Sequence, residues 1–250
     1  LPILKTGAQC AITTSGGIMG LRLKFNLVLL LVFMLGLGAT GYESYQLLHK
    51  NAREEVLRNA GVMMESALSM RGYTVAQVRP LLQADPEKFL PQSVPAYAAT
   101  EIMTLLRKKY PDYSYKEAAL NPTNPRNKAV EWENDIVTSF RNKSDLTEIS
   151  GIRDTPTGRS LYLARPFQIK DKACLACHTT AAEAPPAMVK IYGPNNGFGW
   201  KHMEVIGAQI VSVPMALPMQ NANRAFYTFM LSLTLVFLSL DRKSTRLNSS

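Results

Sequence analysis

The sequence predicts an α+β domain: a small antiparallel sheet with helices on it, led by a long N-terminal helix and flanked by two apolar helices. Three observations predict it. Apolar residues recur at helical spacing from the apolar segment 27–39 through residue 70. Two β-like runs, LTEISGIRD and RSLYLARPFQI, are joined by Thr155-Pro156-Thr157-Gly158, a hairpin signal. A last run, EVIGAQIVSVPM (204–215), reads as a strand.

Met19 opens MGLRLKFNLVLLLVFMLGLGATG and reads as a natural start. Residues 1–18, with Cys10, are therefore expected to be an upstream leader outside the fold. Leu27–Ala39, extended by Phe25 and Gly41, is about 17 residues, near the lower limit for a membrane helix. This assigns residues 19–41 to a first transmembrane helix. Arg22 and Lys24 precede the run, which keeps the N-terminus inside and sends the downstream chain outside. Gly36-Leu37-Gly38-Ala39-Thr40-Gly41 would also suit signal cleavage. The unbroken helical pattern beyond it favours a retained anchor.

Within residues 42–70, Leu48, Ala52, Val56, Ala60, Met63 or Met64, Ala67 and Met70 form one helical stripe. Glu54 and Arg58 are expected to pair at i,i+4. Pro80, Pro86, Pro91 and Pro95 cut residues 72–96 into turns and short helical pieces. A helix follows at 97–109, a strand at 113–120, the turn-rich NPTNPRN, and a helix at 129–141. Asn121, Asn124 and Pro125 read as turn formers. Then come the hairpin, a cysteine-bearing insert, Pro185-Pro186 with a short helix, the loop YGPNNGFGW, and the final strand. That order suits a PAS-like sensor core. AFYTFMLSLTLVFLSL (225–240) carries no charge and reads as a second span, slightly short, with a buried C-terminal helix as the alternative. DRKSTRLNSS (241–250) resembles the translation of a sequencing adapter, so the chain reads as cut at about Leu240. Residues 42–224 are then one external domain between two spans.

Formal net charge is +9, but the basic residues are scattered, with no run longer than Arg107-Lys108-Lys109. A nucleic-acid surface needs a basic stripe with interleaved aromatics, and the sequence has none. GPNNGFG lacks the GK[ST] ending of a phosphate loop, and the Ser and Asp residues form no triad pattern. No catalytic pattern is legible in these residues.

Chemistry concentrates in DKACLACHTT, where Cys174-Leu-Ala-Cys177-His178 forms a Cys-x-x-Cys-His motif. In c-type attachment two thiols add to the haem vinyl groups, and the adjacent histidine delivers an axial ligand from the same face. Cys174 and Cys177 would hold haem c covalently, and His178 would bind its iron. A thioredoxin-like dithiol needs only the cysteine pair. A zinc site needs four ligands, and the other histidines are His49 and His202. A disulfide across so small a loop stabilises little. An extracytoplasmic location favours haem, with the dithiol kept as an alternative.

The stretch CLACHTTAAEAPPAMVKIYGPNNGFGW followed by EVIGAQIVSVPM resembles the Tll0287-like (DUF3365) family of haem-binding sensor domains. RGYTVAQVRPLL (71–82) and YKEAALNPTNPRNKAVEWE (115–133) add to the likeness, which covers about residues 42–224. The resemblance implies a domain between two membrane helices, followed by a cytoplasmic HAMP, kinase or cyclase module in cis. Whether the whole protein is an enzyme is left open, since a kinase or cyclase module would lie beyond the cut. Localisation would be the bacterial inner membrane, with residues 42–224 in the periplasm and a homodimer as the assembly. The function expected is a sensor of redox state or of a small diatomic ligand. A membrane-anchored electron-transfer cytochrome is the alternative.

For the sixth position on the iron, the long helix offers Met63, Met64 and Met70. Met64 or Met70 is the expected metal ligand, since a thioether there would couple the iron to the membrane helix. An open site is the runner-up, and His202 remains available. Trp200, Phe198 and Tyr192 are expected either to line the pocket or to serve as core aromatics.

Overall fold

The computed structural model describes residues 20–82 and 89–247. The leader 1–18 with Cys10, residues 83–88 of the proline-rich stretch, and the last three residues of the tail lie outside the described residues. The chain divides into two compact units. One is Gln46–Ala225; the other comprises the described residues up to Tyr45 and from Phe226.

Helix α1 runs unbroken over Leu21–Tyr73, as the continuous apolar stripe requires. Its apolar first part exposes Phe25, Val28, Leu31, Val32 and Leu35. The last helix, α7, spans Ala216–Leu247. It continues past Leu240, where the apolar run stops. In the smaller unit the rings of Phe33 and Phe237 stack at 3.6 Å, and Met230 reaches Gly41. Among the described residues two helices, within Leu23–Leu82 and Ala216–Leu240, are long and apolar enough to cross a membrane, with window mean hydropathies of 2.0 and 1.3.

In the larger unit α1 is followed by a wide π-helical turn, Thr74–Val78, and by α2, Arg79–Leu82. The Arg79 N–H reaches back to the Thr74 carbonyl. The widening sits just before Pro80, whose ring crowds the carbonyl four residues earlier and which has no N–H. Helix α3 (Pro95–Lys109) starts with proline in its first turn and ends before Pro111. Strand β1 (Ser114–Ala119) is followed by α4 (Glu131–Asn142), where Glu133 accepts from the Val130 N–H at 2.9 Å. Strands β2 (Ile149–Thr155) and β3 (Gly158–Gln168) form a hairpin with Thr155 opposite Gly158. Thr155 Oγ1 donates to the Gly158 carbonyl at 2.6 Å, closing the two-residue loop.

Strand β4 (Val205–Pro214) completes an antiparallel sheet of order β1-β4-β3-β2. Its near-continuous apolar run is explained by position: β4 is central and covered on both faces. Val211 and Val213 meet Val56, Ala60, Met64 and Ala67 of α1 and Met103 of α3. Ala208 and Ile210 meet Ile136, Val137 and Phe140 of α4 on the other face. The α+β expectation and the long leading helix hold. In place of the expected Glu54–Arg58 pair, Glu54 pairs with Lys50 at 3.8 Å, one turn the other way.

Candidate functional site

Between β3 and β4 the chain makes an insert tied shut at its base. The Ile169 N–H donates to the Glu204 carbonyl at 2.9 Å, and the Met203 N–H to the Ile169 carbonyl at 2.8 Å. Inside, Asp171 Oδ1 accepts from the Ala173 N–H at 2.8 Å and starts a tight turn, Lys172–Cys174. That turn runs into α5, Leu175–His178. Winding decides the chemistry: residues three and four apart share a helix face, so Cys174, Cys177 and His178 point the same way. All three line one cavity of about 420 Å³.

The other walls come from distant elements. Tyr115 of β1 packs in the core beneath α1, and Glu117 and Ala119 lie on the same face of that strand. Those two line the cavity, so it continues the α1-side core beyond the last turn of α1. Phe167 and Ile206 close it from β3 and β4, and Arg71 and Arg79 from the end of α1 and the start of α2. Short helix α6 (Pro186–Tyr192) adds buried Met188 and half-buried Tyr192.

His178 is held in one tautomer. Its Nδ1 lies 2.7 Å from the Gly197 carbonyl, which can only accept, so Nδ1 carries the hydrogen. Thr123 Oγ1 stands 3.4 Å from the same nitrogen. Nε2 is left with its lone pair. The indole of Trp200 stacks on the imidazole at 3.8 Å and 16°. Burial pushes the His178 pKa below the ordinary histidine value, against the smaller opposing pull of the Gly197 bond. The ring is thus neutral in the physiological range. Burial pushes both thiols the other way, upward, with Asp171 adding to the effect at Cys174 and Arg79 opposing it at both. Both cysteines are free, and the upward push disfavours the thiolate.

The loop that orients His178 is clamped from across the molecule. The Gly197 N–H donates to Asn121 Oδ1 at 3.1 Å, and Asn121 Nδ2 donates to the Phe198 carbonyl at 3.1 Å. Asn121, read from sequence as a turn former, is therefore also a clamp. Asn124 does form a turn, capping the Arg126 N–H at 3.1 Å. Gly197 has φ +82°, and a Cβ there would overlap Thr123 Oγ1 and lie 2.7 Å from the Thr123 Cα. Gly197→Ala is expected to destabilise the domain by about 2 kcal/mol or more, from left-handed strain plus that overlap. Thermal unfolding of the variant beside wild type measures this.

The structure brings Cys174, Cys177 and His178 together, with Trp200 and Tyr192 at the same cavity; Phe198 is half-buried outside its lining. It does not bring Met64 or Met70 there. Met64 is fully buried under the sheet centre among Val56, Ala60 and Ala67, and Met63 shares that cluster. Met70 is half-buried and outside the lining. The reason is axial position: the stripe at 56–67 covers the sheet centre, while the cavity opens past residue 70. His202 is exposed and bonded to the Lys170 carbonyl at 3.2 Å, and His49 bonds Asn223 at 2.9 Å. The thioether at the cavity is Met188, which in the sequence is one more residue of a short helix. Arg71, Arg79 and Glu117 also escape the sequence, since nothing local marks them as neighbours of the cysteines.

No curated protein matches the chain. The cyanobacterial heme-protein Tll0287, known from its crystal structure, aligns with a TM-score of 0.51 at 18% identity, covering 64% of this chain and 95% of that one. At that identity the likeness speaks for the fold. The Tll0287-like family matches residues 49–214, well over half of the chain, and the chain belongs to that family.

Proposed function

We propose that residues 42–224 form a c-type haem-binding sensor domain, PAS-like in arrangement, held in the periplasm of a bacterial inner membrane by two spans. The observation that carries the reading is the single face on which two free thiols and the His178 imidazole line one cavity, with Nδ1 engaged by the Gly197 carbonyl and Nε2 left without a partner among the described residues. The donor set suits haem: thiols for two vinyl groups, a nitrogen for iron, and a cavity within the usual size range of cofactor pockets. Half-buried thiols whose pKa is pushed upward speak against a thioredoxin-like dithiol, which needs an easily formed thiolate. The heme-protein Tll0287 shares the fold.

Bound haem would supply an iron that changes redox state or takes a small ligand. The chain's own groups do the rest. Each thiol adds its S–H across one vinyl double bond, sulfur to one carbon and hydrogen to the other, so nothing leaves. The Gly197 carbonyl, accepting from Nδ1, strengthens Nε2 as a donor and fixes the ring's direction. Trp200 restrains ring rotation by stacking. Sensing is favoured over simple electron transfer by α1: the segment that ends at the cavity wall is continuous with an apolar stretch long enough to cross a membrane.

The test is a pyridine haemochrome spectrum of protein expressed with a periplasmic maturation system. A c-type spectrum is expected, and a protein without covalent haem sinks the reading. Reporter fusions after Gly158 are expected to be active only with a periplasmic reporter; activity of a cytoplasmic reporter there overturns the topology. Of the methionines, Met188→Leu is expected to alter the haem spectrum, whereas Met64→Leu and Met70→Leu are not.

A further inference from the structure

Two arginines reach the cavity from one continuous segment. Arg71 lies in the last turn of α1, and Arg79 opens α2 eight residues later. On an uninterrupted α-helix, eight residues leave two side chains about 80° apart around the axis. The wide turn Thr74–Val78 takes up one extra residue. The pair then stands as residues seven apart would, about 20° from alignment. The wide turn therefore aims both guanidinium groups at the same cavity. Wide turns inside helices recur at functional sites.

The two are not equally satisfied. Arg71 Nη1 donates to both Glu117 carboxylate oxygens at 2.6 Å, and its guanidinium lies over the Phe167 ring at 4.7 Å. Arg79 Nε is buried and has no hydrogen-bond partner among the described residues. A buried donor left unmade is unfavourable, so a native structure that keeps one at a cavity wall calls for an acceptor from the occupant. A planar guanidinium fork suits an oxygen acceptor far better than a generic apolar wall would.

We propose that Arg79, through its unpartnered Nε–H, and Arg71, through the part of its fork that Glu117 leaves free, receive an acceptor oxygen of the cavity's occupant. This rests on the haem reading above and names the residues that hold the polar side of that occupant. Two sources have the required chemistry: a haem carboxylate, or the oxygen end of a small ligand on the iron. Both arginines belong to the run that begins in α1, so the acceptor is tied to the end of that helix. Arg71 can trade contact between Glu117 and the occupant, which makes the Arg71–Glu117 pair the point where occupancy reaches α1.

Resonance Raman spectra of the full haem-loaded chain decide it, for wild type, Arg79→Leu and Arg79→Lys. Lysine keeps the charge and loses the Nε–H fork. A shift of the haem carboxylate bending band in both variants identifies the haem carboxylate as the acceptor. A shift of the C–O stretching band of the reduced carbon monoxide complex, with the carboxylate band unmoved, identifies the iron-bound ligand. Wild-type positions of both bands in Arg79→Lys, at wild-type haem content and melting temperature, overturn the proposal and leave the haem reading standing. A wild-type chain without covalent haem overturns both.

Discussion

Replacing Cys174 and Cys177 together with alanine is expected to abolish covalently attached haem, and His178→Ala to leave haem attached but strip it of its low-spin spectrum. The two effects separate because the groups do different work. On the proposed reading each thiol would make one carbon–sulfur bond, so a single alanine would leave one vinyl unreacted and move the haemochrome maximum, while the double variant would let acid acetone extract all the pigment. His178 makes no covalent bond to the porphyrin edge. Its removal takes away Nε2, the nitrogen that Gly197 and Trp200 hold in place. His202→Ala is the control, since that ring is exposed and bonded to the Lys170 carbonyl, away from the cavity lining. A wild-type spectrum from His178→Ala would show that the iron is held elsewhere.

The elements that could be read from the sequence are those whose signal is local. The α1 stripe repeats over many turns, and the buried face at Ala52, Val56, Ala60, Met64 and Ala67 follows it directly. The β2–β3 hairpin is announced by its own turn residues, and Gly158 at φ +113° explains why glycine stands there. β4 reads as a strand by composition, although only the fold tells that it is central. The cysteines and His178 declare themselves by spacing, because one helical turn converts spacing into a shared face.

The sequence hides whatever depends on two distant segments meeting. Asn121 and Thr123 look like ordinary turn residues, yet Asn121 grips the loop whose carbonyl sets the His178 tautomer, and Thr123 Oγ1 approaches the His178 ring itself. The wide turn before Pro80 breaks helical phase by one residue, so a face drawn on α1 does not extend to Arg79. That break, together with the cavity's place beyond the last turn of α1, explains why the methionines sought on the stripe fall short of the cavity: Met63 and Met64 are core, and Met70 is half-buried outside its lining. Met188 lies too close to prolines and in too short a helix to stand out.

Glu117→Ala is expected to destabilise the larger unit more than any surface change, by about 3–5 kcal/mol, the usual penalty for orphaning one member of a buried pair. The Glu117 side chain is 1% exposed and Arg71 17%, so water does little to screen the loss. Two partners are stranded at once. Arg71 Nη1 loses both carboxylate oxygens, and the Tyr115 hydroxyl loses the Oε1 it donates to at 2.7 Å. Burial and the Glu117 charge already push the Tyr115 pKa upward, so the phenol stays neutral and needs an acceptor. Melting of the full chain in detergent, followed by circular dichroism, should fall by roughly 6–20 °C at 2–4 °C per kcal/mol for a unit of this size. Glu117→Gln keeps hydrogen-bonding capacity and removes the charge, so it should lie between wild type and alanine. The double change Arg71→Leu with Glu117→Leu should recover much of the loss, because a dry apolar pair leaves no buried charge behind. If the alanine variant melts with wild type, the pair is idle in stability. If the double variant melts no higher than the alanine variant, the loss comes from packing at Glu117 and not from a stranded arginine.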